Sequence, residues 1–246
     1  MIKKPLGPIN KNALALAIMV PGSIFKDYWE KGKTNPGVHL ILSVSARRLF
    51  IGEGALPFEE CHILRFDNQR SLMEIRDFFQ EKKGCVTLVL VEKKLPWVAN
   101  IFLKGCQNLG QFFSLSTRSI SYRGDLENYG GINPTSDQIE ELKNNPIEGK
   151  VYMINLLSFK GREGKKNYEK YGQVALRSVA LLGGQLAFIG KVERDDPWDQ
   201  VAIVEYPSTK LFLNLPAMPG YAESTFYRTK GLEKTVLVIS EREEIT

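Results

Sequence analysis

Asn155 is one of two side chains in this 246-residue sequence that are the best candidates for chemistry. It is a lone amide within the apolar run from Val151 to Leu157, which has the composition of a buried strand. Burying an amide without a hydrogen-bond partner costs free energy. We therefore expect Asn155 either to line a pocket and orient a ligand or to bond a neighbouring loop.

Arg228 is the second candidate, because its guanidinium could supply a fixed cation for a carboxylate or a phenolate. It follows two aromatic residues in the sequence. An ion pair with Glu205 or Glu223 would instead give Arg228 a structural role, and the sequence leaves both interpretations open. Asn155 and Arg228 are thus the predicted catalytic candidates.

Several aromatic side chains could stack on a flat substrate beside these two residues. They are Tyr168, Tyr171, Trp198 and Tyr206. Aromatic residues at helical spacing are usually part of a core, so simple packing is the competing interpretation. Together with Asn155 and Arg228, these four residues form the predicted ligand-binding set.

Metal and nucleophile chemistry are not indicated by the sequence. His39 and His62 are its two histidines, and each is expected to be a hydrogen-bonded structural residue rather than a general base. Cys61, Cys85 and Cys106 have no CxxC spacing and are expected to be buried thiols in a reducing compartment. The sequence contains no G-x-S-x-G, P-loop, dinucleotide-binding or HExxH motif, which disfavours hydrolase, kinase and dehydrogenase functions. We predict no metal site.

The composition is that of an ordinary globular protein, with 43% apolar and 25% charged residues. The net charge is +5, but lysine and arginine occur at most in pairs, which does not provide the concentrated cations of a nucleic-acid site. The apolar run at residues 13–20 ends in Pro21-Gly22 without a cleavage site and predicts a strand rather than a secretory signal. We therefore predict a cytoplasmic protein with neither a nucleic-acid nor a membrane partner.

Apolar periodicity predicts the order βαββαβ twice along the chain. In the first copy, strands are predicted at residues 14–20, 39–44, 61–66 and 85–91, with 49–52 continuing the second strand after a bend at Arg47-Arg48, and helices at 24–31 and from 68 onward. In the second copy, strands are predicted at 151–157, 185–192, 200–206 and 235–240, and helices at 165–182 and 208–215. Thr135 and Gln138 predict a capping box at the start of another helix just before this copy.

Each βαββαβ unit is expected to form a four-stranded antiparallel sheet with both helices on one face. The bare face must be covered, and the second copy can cover it sheet to sheet, with an apolar cavity between the two. We predict three regions: a degenerate ferredoxin-like repeat at residues 1–93, a connecting segment at 94–132 and a ferredoxin-like domain at 133–246. The connecting segment would act as a lid or partner-facing arm, or simply pack on the domain.

Several motifs occur together in the C-terminal half. They are Asn133-Pro134-Thr135 with Gln138, the run MINLLSFK from Met153 to Lys160, Tyr168-x-x-Tyr171-Gly172, Gly183-Gly184, Trp198-Asp199, Glu205-Tyr206-Pro207-Ser208, Tyr221, and YRTKGLE from Tyr227 to Glu233. In these motifs the chain resembles the DUF1330 family over roughly residues 133 to 240, whereas residues 1 to 130 carry none of them. The resemblance implies an α+β fold in which tandem ferredoxin-like repeats form an intramolecular dimeric α+β barrel.

The dimeric α+β barrel superfamily that the resemblance implies includes cofactor-free monooxygenases, small-molecule isomerases and decarboxylases, and the haem-binding chlorite dismutase group. Asn155 and Arg228, set among aromatic residues, indicate a small-molecule ligand that is partly apolar and either anionic or aromatic. A homodimer is a further expectation. Haem is disfavoured because residues 133–246 contain no histidine, and we predict no cofactor. Three functions stay open: a cofactor-independent enzyme, a non-catalytic binding or interaction module, and a monooxygenase or isomerase of natural-product metabolism.

Overall fold

Eight antiparallel strands form a closed ring in this chain. The computed structural model describes residues 14–30, 37–112, 131–193 and 196–244. The strands are β1 (Ala15–Val20), β2 (Val38–Ile51), β3 (Glu60–Phe66), β4 (Val86–Glu92), β5 (Val151–Phe159), β6 (Gln185–Val192), β7 (Gln200–Tyr206) and β8 (Leu232–Arg242). Around the ring they follow the order β1-β3-β2-β8-β5-β7-β6-β4, and β4 pairs with β1 to close it.

Helices pack around the outside of this ring. They are α1 (Ile24–Glu30), α2 (Gln69–Gln80), α3 (Trp97–Phe112), α4 (Ser136–Asn144), α5 (Gly161–Leu181), α6 (Thr209–Leu213), a 3₁₀ helix (Leu215–Ala217) and α7 (Tyr221–Gly231). Helix α2 packs against β1, β3 and β4, whereas α5 packs against β5, β6, β8 and α7. None of the helices in the described ranges combines the length and the apolar character that crossing a bilayer requires.

The ring consists of two sets of four strands with the same internal order. Strands β1 to β4 are arranged β4-β1-β3-β2, and strands β5 to β8 are arranged β8-β5-β7-β6. In each set the first and third strands are central, as expected for a ferredoxin-like unit. The sets join at two antiparallel seams, β2 with β8 and β4 with β6. The predicted α+β barrel is therefore present.

A packed core of side chains occupies the barrel interior, where the sequence predicted an apolar cavity between the two sets. Because their edge strands pair at both seams, the inner faces surround one barrel interior, and a ring of eight strands is just wide enough for side chains to fill. The core inside the ring includes Met19, Val44, Ile63, Leu88, Ile154, Ile203 and Val238. Side chains therefore fill the space in which the cavity was expected.

Strand β5 shows how the alternation of side chains places the candidate site outside the barrel. Tyr152, Ile154 and Leu156 point into the barrel core. Met153 points to the opposite face, where it packs with residues of the helical layer, and Asn155 shares that face. Asn155 is thus directed towards the helices and away from the barrel interior.

Local signals in the sequence predict several helix starts correctly. The Thr135 side chain accepts a hydrogen bond from the Gln138 backbone, and the Gln138 side chain accepts one from the Thr135 backbone, so the predicted capping box is confirmed. Asn68 caps α2 by accepting a hydrogen bond from the Ser71 backbone. Helix α5 begins at Gly161, four residues earlier than predicted.

Strand β2 and helix α7 also differ from the prediction. Strand β2 is continuous over 14 residues, and the predicted bend at Arg47-Arg48 is a register shift against β8 between Ala46 and Arg48. Helix α7 lies in a stretch for which apolar periodicity predicts no helix. Residues 113–130 of the predicted connecting segment lie outside the described residues.

Candidate functional site

A pocket lies between the outer face of the second strand set and the helices that cover it. Its floor is formed by β5, β6 and β7, and its roof by α5 and α7. The volume of the cavity is about 180 Å³, on the scale of the ~150 Å³ engineered cavity that holds benzene. Its apolar wall includes Ala175, Leu176, Val179, Val204, Leu213 and Leu215.

Arg228 places a positive charge in this pocket. Its side chain extends from α7 and the residue is only 6% exposed. The Nη1 group donates hydrogen bonds to the carbonyl oxygen of Ile132 and to Oδ1 of Asn133, the latter at 2.9 Å. Neither Nε nor Nη2 has a hydrogen-bond partner among the described residues. Part of the guanidinium is therefore held by the protein and part is open to a ligand.

The ion pairs that would have made Arg228 structural do not form. Glu205 instead pairs with Lys150 at 3.3 Å and accepts a hydrogen bond from Tyr152 at 2.9 Å. Glu223 forms no ion pair with Arg228, and no other carboxylate within the described ranges does so either. Because arginine stays protonated in proteins, a buried positive charge remains without a neutralising group.

Four tyrosines line the pocket, Tyr168, Tyr171, Tyr206 and Tyr221, and the charge of Arg228 acts on Tyr168 and Tyr221. The Tyr171 ring lies 5.4 Å from that of Tyr168 and 5.9 Å from that of Tyr221. Burial raises the pKa of Tyr168, Tyr206 and Tyr221 above the usual value, and neighbouring tyrosines raise the pKa of each further. These hydroxyls therefore stay protonated at neutral pH and can donate hydrogen bonds.

The hydroxyls of Tyr171 and Tyr221 are 2.8 Å apart, so one of them donates a hydrogen bond to the other. The proton of the accepting hydroxyl then remains available to a third group. The hydroxyls of Tyr168 and Tyr206 have no hydrogen-bond partner within the described part of the chain. The polar lining near Arg228 is therefore rich in donors.

Asn155 supplies an acceptor on the pocket floor. Its Nδ2 donates to the carbonyl oxygens of Met153 at 3.1 Å and Ala202 at 3.3 Å, so the amide bonds its own sheet rather than a loop. These two bonds use both amide hydrogens and leave Oδ1 without a partner among the residues described. Asn155 can thus accept a hydrogen bond from a ligand hydroxyl or amine.

The structure brings five of the predicted ligand-binding residues to one pocket: Asn155, Tyr168, Tyr171, Tyr206 and Arg228. Trp198 lies elsewhere. Its indole packs against the barrel core, and the Lys234 ammonium lies 5.0 Å from the ring centre. Ligand binding by the five residues stays a prediction.

The two histidines lie in the first strand set, away from this pocket. His39 contacts Asp67 at the surface, with 3.3 Å between Nε2 and Oδ1. His62 is fully buried on the helix side of β3, where Nδ1 is 2.9 Å from the Ser43 hydroxyl and Nε2 is 3.1 Å from a Glu60 oxygen. Burial lowers the pKa of His62, although Glu60 opposes that shift.

Four polar residues that line the pocket are absent from the predicted ligand-binding set. Asn133 precedes the predicted capping box, yet its Oδ1 accepts from Arg228 and its Nδ2 donates to the Thr229 hydroxyl at 3.2 Å. Tyr221, Thr225 and Gln200 also line the pocket. A polar residue opening an apolar strand, as Gln200 does, is the signal that could have identified the last of them. No cluster of three or more potential metal ligands occurs in the described ranges.

Comparison with known proteins places the fold. No family model matches this sequence and no curated protein does, so the DUF1330 resemblance is not confirmed. A mutant chlorite dismutase from Candidatus Nitrospira defluvii superposes with a TM-score of 0.50 over 96% of this chain and 94% of that chain, at 10% identity. The likeness shows the fold alone: this chain has the fold of the dimeric α+β barrel proteins.

Two further solved structures are similar to this chain. A protein of unknown function from Rhodopseudomonas palustris is 29% identical, over 44% of this chain and 93% of that one, with a TM-score of 0.41. An anthrone oxidase-like protein is 7% identical, over 96% of this chain and 95% of that one, with a TM-score of 0.46.

Proposed function

We propose that this chain binds a small, partly apolar carboxylate in the pocket beside Arg228, and that any reaction of that ligand proceeds without a cofactor. The observation that supports the proposal is the buried Arg228 guanidinium, which has hydrogen-bond acceptors but no carboxylate partner among the described residues. A buried charge without a counterion is unfavourable, and a ligand carboxylate would supply the missing negative charge.

The rest of the lining fits the same kind of ligand. A carboxylate has oxygens that accept several hydrogen bonds, and the protonated tyrosines of the same pocket are donors. The wall formed by side chains such as Leu176 and Val179 suits an alkyl or aryl group. A ligand of about one ring, with its acid group at Arg228, would therefore satisfy both surfaces.

The predicted catalytic candidates would have distinct roles in this arrangement. Arg228 would bind the acid group and stabilise negative charge on an adjacent oxygen, and Asn155 would orient a ligand hydroxyl through Oδ1. Replacing Asn155 with alanine should weaken binding of a hydroxy acid but not of the matching acid without a hydroxyl. If N155A bound both acids as the wild type does, the role of Asn155 would be wrong.

Calorimetry with matched acids and amides tests the charge requirement. Hexanoate and benzoate should bind, whereas hexanamide and benzamide, which have the same shape and no charge, should bind at least about tenfold more weakly, as expected for loss of a charge-assisted hydrogen bond. Equal affinity for acid and amide would contradict a cationic site.

The variant Asn133→Asp tests the role of Arg228 without removing its side chain. A carboxylate in place of the Asn133 oxygen, now 2.9 Å from Nη1, would pair with the guanidinium and compete with the ligand. N133D should keep its fold by circular dichroism and lose the preference for acids over amides. Asn68→Asp is the matched control, because aspartate caps a helix as well as asparagine does, and it should retain the preference. A preserved preference in N133D would argue against Arg228 as the anion site.

The identical strand order of the two sets supports a tandem duplication of one ferredoxin-like unit, and the motifs of residues 133 to 240 support kinship with DUF1330. Cys61, Cys85 and Cys106 are all free thiols, which fits the reducing conditions of a cytoplasm. All three inferences, the duplication, the kinship and the cytoplasmic location, are part of the proposal.

A second candidate function is a non-catalytic interaction role for α3. Trp97, Val98, Ile101 and Phe102 are each more than half exposed on this helix, with Trp97 at 73%. Exposed apolar side chains in one cluster are typical of contact surfaces. The double variant I101E/F102E should then lose a specific partner in cross-linking from cell extract while carboxylate binding is unchanged. Identical cross-linked partners for variant and wild type would exclude this role.

A further inference from the structure

Gln200 directs its side-chain amide to the pocket, and a hydrogen bond from Lys93 fixes the orientation of that amide. The residue begins β7, lines the pocket and is 5% exposed. Its Oε1 lies 3.0 Å from the Nζ of Lys93. An ammonium group can only donate hydrogen bonds, so the amide must turn its carbonyl towards Lys93. The NH₂ group of Gln200 is then left without a partner among the described residues.

Lys93 brings a second positive charge close to this pocket from the other strand set. It directly follows β4, and its backbone amide donates to the carbonyl oxygen of Ile189 on β6 at 2.9 Å. Its ammonium group is partly buried, and burial lowers the pKa of Lys93. The charges of Lys165 and Lys191 lower this pKa further, whereas Glu169 opposes them. The ammonium group that bonds the Gln200 amide therefore has two further lysines and one glutamate acting on its charge.

We propose that Gln200, backed by Lys93, is a second acceptor-binding subsite of the same pocket, and that the natural ligand is therefore a small dicarboxylate. This inference rests on the proposed function, because it assumes that Arg228 binds the first carboxylate. The Gln200 NH₂ group would donate to the second carboxylate, and Lys93 would hold the amide in the donating orientation. An apolar spacer between the two acid groups would lie along the pocket wall.

A carboxylate suits this subsite for two reasons. A polarised amide N–H donates more strongly to an anion than to a neutral oxygen, because charge-assisted hydrogen bonds are the stronger class. A negative charge would also offset the repulsion that Lys165 and Lys191 exert on Lys93. A ligand with a single acid group would leave the Gln200 NH₂ group without a hydrogen-bond acceptor.

Calorimetry with adipate and hexanoate, and with terephthalate and benzoate, tests the second subsite on the full-length protein. Each pair has the same spacer and differs in the second acid group. The dicarboxylate should bind about tenfold more tightly than its partner, the effect of one additional charge-assisted hydrogen bond. In Lys93→Met this preference should disappear while the affinity for hexanoate is unchanged, and Lys93→Arg should restore it.

Gln200→Glu provides an independent variant that keeps a partner for Lys93. A carboxylate at position 200 would still bond Lys93 but would repel the second acid group, so adipate should lose more affinity than hexanoate. Lys94→Met removes an exposed neighbouring charge and should retain the wild-type preference.

The two proposals fail in different ways. If hexanoate and adipate bind equally to the wild type, or if the preference survives in both K93M and Q200E, the second subsite is wrong and the Arg228 site stands. If hexanoate binds no more tightly than hexanamide, and benzoate no more tightly than benzamide, both proposals are wrong.

Discussion

Arg228 and His62 are both buried basic side chains, but their surroundings differ. His62 is hydrogen bonded at both ring nitrogens, with Ser43 on one side and Glu60 on the other, and the Phe25 ring stacks on it at 3.7 Å. Arg228 has carbonyl oxygens as partners but no carboxylate in the described ranges. A satisfied buried base is a structural residue, whereas an unneutralised one is a candidate ligand site.

His62 should make the protein less stable in mild acid. Burial lowers the pKa of His62 in the folded state, whereas in the unfolded chain it keeps its ordinary value near 6.5. Below that value the unfolded state binds a proton that the folded state does not, so the free energy of unfolding falls as the pH drops below about 6.5. Glu60 and Glu243 raise the pKa of His62 and limit this fall, because burial outweighs them without cancelling.

Urea titrations at pH 7.5 and 5.5 would measure this effect. His62→Gln should show a smaller decrease in the free energy of unfolding between the two pH values than the wild type. His39→Gln, which changes a surface histidine, should decrease as the wild type does. An H62Q protein with the wild-type decrease would show that another group is responsible.

At the scale of elements, α7 is the part of the site that could not be predicted from the sequence. Its buried residues are Ser224, Thr225, Arg228 and Gly231, whereas Phe226 and Tyr227 are exposed. An amphipathic helix usually buries apolar residues and exposes polar ones, and α7 does the reverse. It lines a pocket with polar groups instead of filling a core, so apolar periodicity does not detect it. Arg228 could be singled out by residue type, but the helix that carries it could not be predicted.

The contact between α5 and α7 depends on two glycines. A Cβ on Gly164 would lie 2.6 Å from the Gly231 carbonyl oxygen, and a Cβ on Gly231 would lie 2.8 Å from that of Gly164. Gly164→Ala should therefore push α7 away from α5 and destabilise the protein by about 1–3 kcal/mol, the usual effect of overpacking. It should also weaken carboxylate binding, because α7 carries Arg228 and α5 carries Tyr168 and Tyr171.

Gly172→Ala is the matched comparison on the same helix. A Cβ at Gly172 would meet nothing within 4 Å and would project where the residue lines the pocket. Alanine should raise stability by about 0.5–1 kcal/mol, the helix-propensity difference, while reducing the space for the ligand. Thermal unfolding and calorimetry on both variants should show opposite changes in stability and the same loss of affinity. A G164A protein as stable as the wild type would mean that the helices can separate freely.

At the scale of the whole molecule, the sequence predicted the elements better than their assembly. The alternation within β5 and the repeated element order both follow from local patterns, which is why the α+β barrel could be inferred. The seams could not be predicted, because they pair residues that are far apart in sequence, such as Leu90 and Val192, without a local signal for their register. The pocket was accordingly expected between the strand sets rather than under the helices.

The two seams should differ in local stability. Pairing between β4 and β6 covers three residue pairs, from Leu90–Val192 to Glu92–Gly190, whereas pairing between β2 and β8 covers six. Fewer ladder hydrogen bonds permit easier local opening. Residue-resolved hydrogen exchange should therefore show weaker protection for Lys93 and Glu193, which donate across the short seam, than for amides between β2 and β8. Equal protection would indicate that the barrel opens as one unit.

Because a single polypeptide supplies both strand sets, the two halves of the barrel need not share a sequence. A barrel assembled from two identical chains must carry the same residues on each side, so a change that improves one side alters the other as well. Here, the side covered by α1 and α2 is filled by Phe25, Phe79 and Leu72, whereas the side covered by α5 and α7 retains an open pocket. A single polypeptide can therefore keep one half as a scaffold while the other half changes.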